Sequence, residues 1–139
     1  MLLIKSKFKI AKRLGAAIFE KTQSQKFALS EARSAANKKN SRGGRGGSDY
    51  GRQLLEKQRV RFTYGISERQ LSNYAEAAYT EADPSTTLHR SLEMRADSAA
   101  YRAGLLPTRR AARQAVSHGH ITINGKRTTV PSHRVKKGD

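Results

Sequence analysis

Cysteine and tryptophan are absent from this chain, and proline occurs only three times. Without cysteine, neither disulfides nor thiolate zinc sites are available. No apolar run approaches a membrane span; Met1 to Ile4 is the longest opening stretch. Acidic residues are scarce as well, 11 against 28 lysines and arginines, which leaves a formal charge of +17. Such an excess repels itself in a compact fold unless a polyanion neutralises it, and nucleic acid is the foremost candidate.

The same scarcity argues against catalysis. The histidines are His89, His118, His120 and His133. His118 and His120 form an H-x-H pair, but no carboxylate lies between Arg109 and Gly138 to complete a metal site. Asp49 and Glu56, like Glu76 and Glu81, sit on charge-balanced helical stretches where intrahelical pairing explains them. The glycines of SRGGRGG lack the preceding strand and the following Lys-Ser/Thr of a nucleotide cradle. The sequence therefore predicts no enzyme, no cofactor, no metal, no small-molecule substrate and no membrane partner.

Charge is unevenly distributed. Residues 1–48 carry net +10, residues 49–107 net zero and residues 108–139 net +7. One ordinary domain or two very small ones fit in 139 residues. The division expected is a basic, partly flexible arm over 1–47, a helical subdomain over 48–87 and a small motif domain over 88–139. Within the arm, residues 5–21 form a weak amphipathic helix interrupted by Gly15, and 37–48, NKKNSRGGRGGS, is low-complexity and cationic.

Turn and cap signals set the later elements. Ser48 caps a helix running to about Tyr64, and Gly65 stops it. Ser67 to Gln70 fits a capping box, opening a helix to about Glu81. Asp83-Pro84-Ser85 starts a third helix, predicted to run unbroken to Gly104 with Leu88, Leu92, Ala96, Ala99, Ala100 and Ala103 as its buried stripe. Thr108 caps a short helix ending at Gly119. Strands are expected over 120–123, 127–130 and 133–136, with Asn124-Gly125 as a hairpin turn.

The helix after Thr108 carries the sharpest signal. At about 100° per residue, Ala111, Ala112, Ala115 and Val116 share one arc, expected to be the buried one. Arg109, Arg110, Arg113, Gln114 and Ser117 fill the opposite arc, with His118 at its edge, and no acidic residue lies within a turn. These arginines are predicted to face outward together, towards a phosphate backbone. Lys126 and Arg127 extend the patch, and Arg134 lies farther on. In the central helices Tyr50, Arg52, Lys57, Arg59, Arg61, Arg69, Asn73 and Tyr74 mix cations with aromatics able to stack on splayed bases. Phe62 is expected in the core; Tyr64 and Tyr74 could serve core or contact.

The segment 108–125 resembles the RNA-binding motif named after small-subunit ribosomal protein S-four. Thr108, Arg109, Ala112, Arg113, Val116, Gly119, Ile121, Ile123, Asn124 and Gly125 fit its pattern. Ser48 to Tyr74 resembles the helical subdomain that the ribosomal family places around this motif, and Leu88 to Gly104 resembles the helix before it. The resemblance implies an α+β fold: a helical subdomain, then helices packed on a short antiparallel sheet. It also implies a primary binder of small-subunit ribosomal RNA that nucleates subunit assembly and contributes to decoding accuracy. Neighbouring small-subunit proteins, and messenger RNA near its entry path, are the further partners implied.

Departures from the pattern are specific. The amino-terminal zinc cysteines of many bacterial relatives are missing, so the zinc-free form is the nearer likeness. An acidic residue usual at Ala111 is absent, and Ala115 stands where leucine is common. Ala96, Ala99 and Ala100 replace larger apolar residues, each at a cost on the order of 1–3 kcal/mol if nothing fills the space. Relatives continue past the VKKGD-like turn, whereas this chain stops at Asp139, as a carboxy-terminal truncation with an open sheet edge would. The implied location is the cytoplasmic ribosome, with an organelle as alternative because residues 1–19 are basic and acid-free. Rival readings are a free-standing RNA chaperone or stalled-ribosome factor, the accessory module of an RNA-modifying enzyme, and a membrane-active cationic peptide.

Overall fold

A computed structural model describes residues 6–39 and 48–139. Most of the cationic segment expected over 37–48 therefore lies outside the described residues, as do the first residues of the basic amino end. Contacts divide the chain into two units, Met1–Thr63 and Tyr64–Asp139.

In the first unit, α1 spans Lys7–Leu14 and stops on Gly15, whose φ of 61° places it in the left-handed region that glycine tolerates. A single 3-10 turn, Glu20–Gln23, leads to α2, Gln25–Lys39, a helix the sequence analysis did not anticipate. Helix α3 runs Asp49–Tyr64, with the Ser48 hydroxyl accepting from the Gly51 N–H at 3.2 Å. Ala11, Phe19 and Phe27 form the buried core, and Phe8, Ile10, Ile18 and Phe62 pack against it half-buried. Arg59 Nε donates to the Leu14 carbonyl at 2.8 Å, filling one of the acceptors that the end of α1 leaves open.

In the second unit, α4 (Glu68–Tyr79) starts on the capping box of Ser67 and Gln70, and α5 (Pro84–Glu93) starts on Asp83, whose carboxylate accepts from the Thr86 N–H. Here the unbroken third helix is corrected. Arg95 adopts an extended conformation, φ −70° and ψ 143°, and α6 begins afresh over Ala96–Arg102. The cause is a backbone partner from far along the chain. The Ala96 and Asp97 N–H groups donate to the carbonyls of His133 and Pro131, at 2.8 and 3.2 Å, while the Val135 N–H donates to Met94. A helix start leaves its first N–H groups unbonded, and residues 131–135 supply the acceptors.

The strand expected over 133–136 is corrected for the same reason. It forms an isolated antiparallel bridge, Arg95 to Arg134, rather than a third strand beside the hairpin. The sheet has two strands, β1 (Ile121–Ile123) and β2 (Lys126–Thr128), with Ile121 opposite Thr128 and Ile123 opposite Lys126. Asn124 and Gly125 both have positive φ, 52° and 74°, as the tightest hairpin turn demands. Helix α7, Arg109–Ser117, packs on α6, and its Ala112 and Val116 are fully buried. Ile66, Leu71, Ala78, Leu92, Ala96 and Ala100 are also buried.

Candidate nucleic-acid interface

Helix α7 begins as its sequence dictates, with the Thr108 hydroxyl accepting from the Ala111 N–H at 3.0 Å. Its orientation differs from the expected one. Arg109 and Arg113 are half-buried rather than presented to solvent with Arg110. The Arg109 guanidinium lies between the rings of Tyr64 and Tyr101, 4.7 and 4.8 Å from their centroids. It donates to Glu93 Oε1 and to the Ser98 hydroxyl, each at 3.1 Å. Arg113 donates to the Gly65 carbonyl at 2.7 Å. Ala112 and Val116 of the expected arc are buried and Ala111 and Ala115 half-buried, but Arg109 and Arg113 are half-buried as well, so the packed side of α7 extends to its arginines. Arginine stems lie along apolar surface and their planar heads stack on aromatic faces.

Glu93 is the centre of this cluster. It accepts from Tyr64 Oη at 2.6 Å and from two nitrogens of Arg102 at 2.9 Å, besides Arg109. The Arg102 hydrogen bonds, helped by Tyr64 and Arg109, hold its carboxyl at about 2 against the opposing effect of partial burial. Burial, followed by the bond to Glu93, pushes the Tyr64 hydroxyl up to about 12. A second cluster lies at the helix break. Arg95 is buried and makes a two-pronged bond to Asp97, at 3.0 and 2.8 Å, with a third to Tyr74 Oη at 3.0 Å. Burial alone would depress the Arg95 value; Asp97 outweighs it and raises it.

The remaining cations divide by what holds them. Arg110, Ser117 and His118 are exposed along α7, and the His118 ring lies 5.9 Å from that of His120. Lys126 and Arg127 are also exposed, but successive strand residues point to opposite faces. Arg127 turns back to donate to the His118 carbonyl at 2.8 Å, a cation at the carboxy end of α7 where the helix dipole favours it. Gly119 makes room for it: a Cβ there would sit 2.1 Å from Arg127 Nε. Arg134 is exposed beside the Arg95 bridge, and Arg69 and Asn73 are exposed on α4. On α3, Tyr50 is 74% exposed, Arg52 pairs with Asp49, Lys57 is exposed and Arg61 lies over the Phe62 ring at 5.0 Å.

Sequence reasoning missed Tyr64, Glu93, Ser98 and Tyr101 as supports for Arg109. The available signal was Glu93 itself, the lone carboxylate between Arg90 and Arg95. It lies on α5, far outside one turn of α7.

A fold of this kind, a short helix leading into a hairpin with a cationic exposed side, is that of the S4 domain, which residues 94–139 match. Residues 3–94 match the ribosomal protein S4/S9 N-terminal domain, and the chain belongs to that family. It is 52% identical over 93 residues to the small ribosomal subunit protein uS4 of Limosilactobacillus fermentum, covering 66% of this chain and 46% of the relative. The proteins of that name from Mesomycoplasma hyopneumoniae strains 7448 and 232 are each 48% identical over 93 residues, covering 66% and 45%. The chain spans about half the length of the curated relatives it matches. Among the described residues no helix is long and apolar enough to cross a membrane.

Proposed function

We propose that the chain is a structural RNA-binding component of the small ribosomal subunit and that it performs no reaction. The observation that carries this reading is the side of α7 and the hairpin left exposed once Arg109 and Arg113 are committed inward. It holds Arg110, Ser117, His118 and Lys126, and no carboxylate occurs from Arg109 to Gly138. Ribosomal RNA supplies the phosphates that such a surface requires. Binding replaces the counterions condensed on those phosphates, while helix and hairpin shape select an irregular RNA site.

The two inward arginines are positioning residues here. They set how α7 sits on α6 and so where Arg110 points. Exposed Tyr50, Arg52, Lys57, Arg69, Asn73 and Arg134 form a wider contact set, supported by their exposure and by the overall charge of +17. Roles in nucleating assembly and in decoding accuracy, contacts with neighbouring subunit proteins and messenger RNA, and residence on cytoplasmic ribosomes belong to the same reading. Their support is the family membership.

Sedimentation tests it. Tagged protein expressed in cells should travel with small subunits on a sucrose gradient and stay there through high-salt washes. Recovery with large subunits or as free ribonucleoprotein would replace this reading with that of a free-standing RNA factor.

A further inference from the structure

We propose that the first unit carries its own phosphate seat, a recess between α1 and α2 that takes one phosphodiester of the RNA backbone with its nucleoside against Phe8. This rests on the RNA-binding reading above but uses none of the residues of α7 or the hairpin.

The recess has a volume of about 450 Å³ and is lined by Phe8, Lys9, Lys12, Lys26 and Ser30. That size lies within the roughly 300–1,000 Å³ typical of small-ligand sites. Its chemistry is one-sided: among the described residues the lining has three ammonium groups, a hydroxyl and an aromatic ring, and no carboxylate. The two helices bring these groups together by their own periodicity. Phe8 and Lys12 are four residues apart on α1, and Lys26, Ser30 and Ser34 follow one line of α2 at the same spacing.

Lys12 is already oriented. Its Nζ donates to the Ser30 hydroxyl at 2.6 Å and to the Ser34 hydroxyl at 3.1 Å. Ser34 in turn donates to the Ser30 carbonyl at 2.8 Å, which fixes the second of those acceptors. An ammonium has three N–H donors, so one remains for a further acceptor. The Ser30 hydroxyl, accepting from Lys12, keeps its own proton to give. Both point to an oxyanion, and the exposed Lys9 and Lys26 supply the charge to hold it. Phe8 stands 5.5 Å from Phe27 in the core, so its position is braced and its ring offers a fixed apolar wall.

The test is lysine acetylation of the full chain by an activated ester, read residue by residue by mass spectrometry. It is run alone, with a small-subunit ribosomal RNA transcript, and with inorganic phosphate. Expected is loss of labelling at Lys9 and Lys26 when the transcript binds, with Lys21, outside the recess, less affected. In parallel, Lys9→Gln, Lys12→Gln and Lys26→Gln together should lower the salt slope of RNA binding by about 0.7, one phosphate contact. Transcript binding with Lys9 and Lys26 still fully labelled overturns the seat and leaves the RNA-binding reading intact. Protection by inorganic phosphate but not by bound transcript overturns it too, as a free-anion site. Failure of the transcript to bind at all overturns both.

Discussion

Arg109 and Glu93, sixteen residues apart in the chain, meet at 3.1 Å with the arginine stacked between Tyr64 and Tyr101. The arginine that best fits an RNA-contact pattern is thus held by partners within the protein. Its charge is already answered by a carboxylate on α5, and its plane by two rings.

Glu93→Gln should lower stability by about 1–3 kcal/mol, because a neutral amide weakens three donors at once and leaves Arg109 half-buried without its counter-charge. The pH dependence has a definite sign. Glu93 sits at about 2 in the folded chain against an ordinary 4.5. Its contribution is therefore complete above the ordinary value and is lost as pH falls from there through about 2. Urea unfolding across that range should show a loss in the parent that the variant lacks. A variant with the same acid profile as the parent would remove Glu93 from the account.

Tyr64 titrates in the opposite sense. With its hydroxyl at about 12 rather than 10, its contribution is complete below 10 and is lost as pH rises through about 12. Tyrosinate absorbance should show a late-titrating component that is lost in Tyr64→Phe. In Glu93→Gln that component should move only part of the way down, since burial is the larger cause.

Asp97→Ala should cost about 3–5 kcal/mol, since it strands a buried arginine. The damage should localise. Amide hydrogen exchange should quicken at Ala96, Asp97 and Val135, whose N–H groups bind the break between α5 and α6 to residues 131–135. Uniform acceleration along the chain would instead mean that Arg95 and Asp97 hold the whole unit and not this junction.

Gly119→Ala meets two penalties, a positive φ of 71° and a Cβ overlapping Arg127. A loss of about 1–3 kcal/mol is expected. Adding Arg127→Ala should recover the steric share and leave the backbone share, so the two substitutions will not be additive in thermal melting. Simple additivity would show that Arg127 does not occupy the space over Gly119.

What was legible in the sequence was whatever a few adjacent residues decide. The capping box at Ser67, the Asp83-Pro84 start, the Thr108 cap and the Asn124-Gly125 turn are all local chemistry, and each appears where expected. What was not legible depends on partners far along the chain. Helical periodicity from Pro84 to Gly104 gives no hint that His133 and Pro131 will take the Ala96 and Asp97 N–H groups and break the helix. The same holds for part of α7: Ala112 and Val116 of its small-residue arc are buried as expected, but the contacts of Arg109 with Glu93, Tyr64 and Tyr101 lie beyond what the helix period shows. Helix α2 escaped notice because its polar composition lacks a clear apolar stripe, with Phe27 the one fully buried large side chain among its described residues.

The division of labour on α7 is tested most directly by measuring RNA binding against salt for two single variants, Arg110→Ala and Arg109→Ala, alongside their melting temperatures. Arg110→Ala should reduce the slope of log affinity against log salt by about 0.7–0.9, the share of one phosphate contact, with melting unchanged. Arg109→Ala should lower the melting temperature and leave the slope close to that of the parent wherever the chain remains folded. A full slope reduction from Arg109→Ala with no loss of stability, and none from Arg110→Ala, would contradict the account.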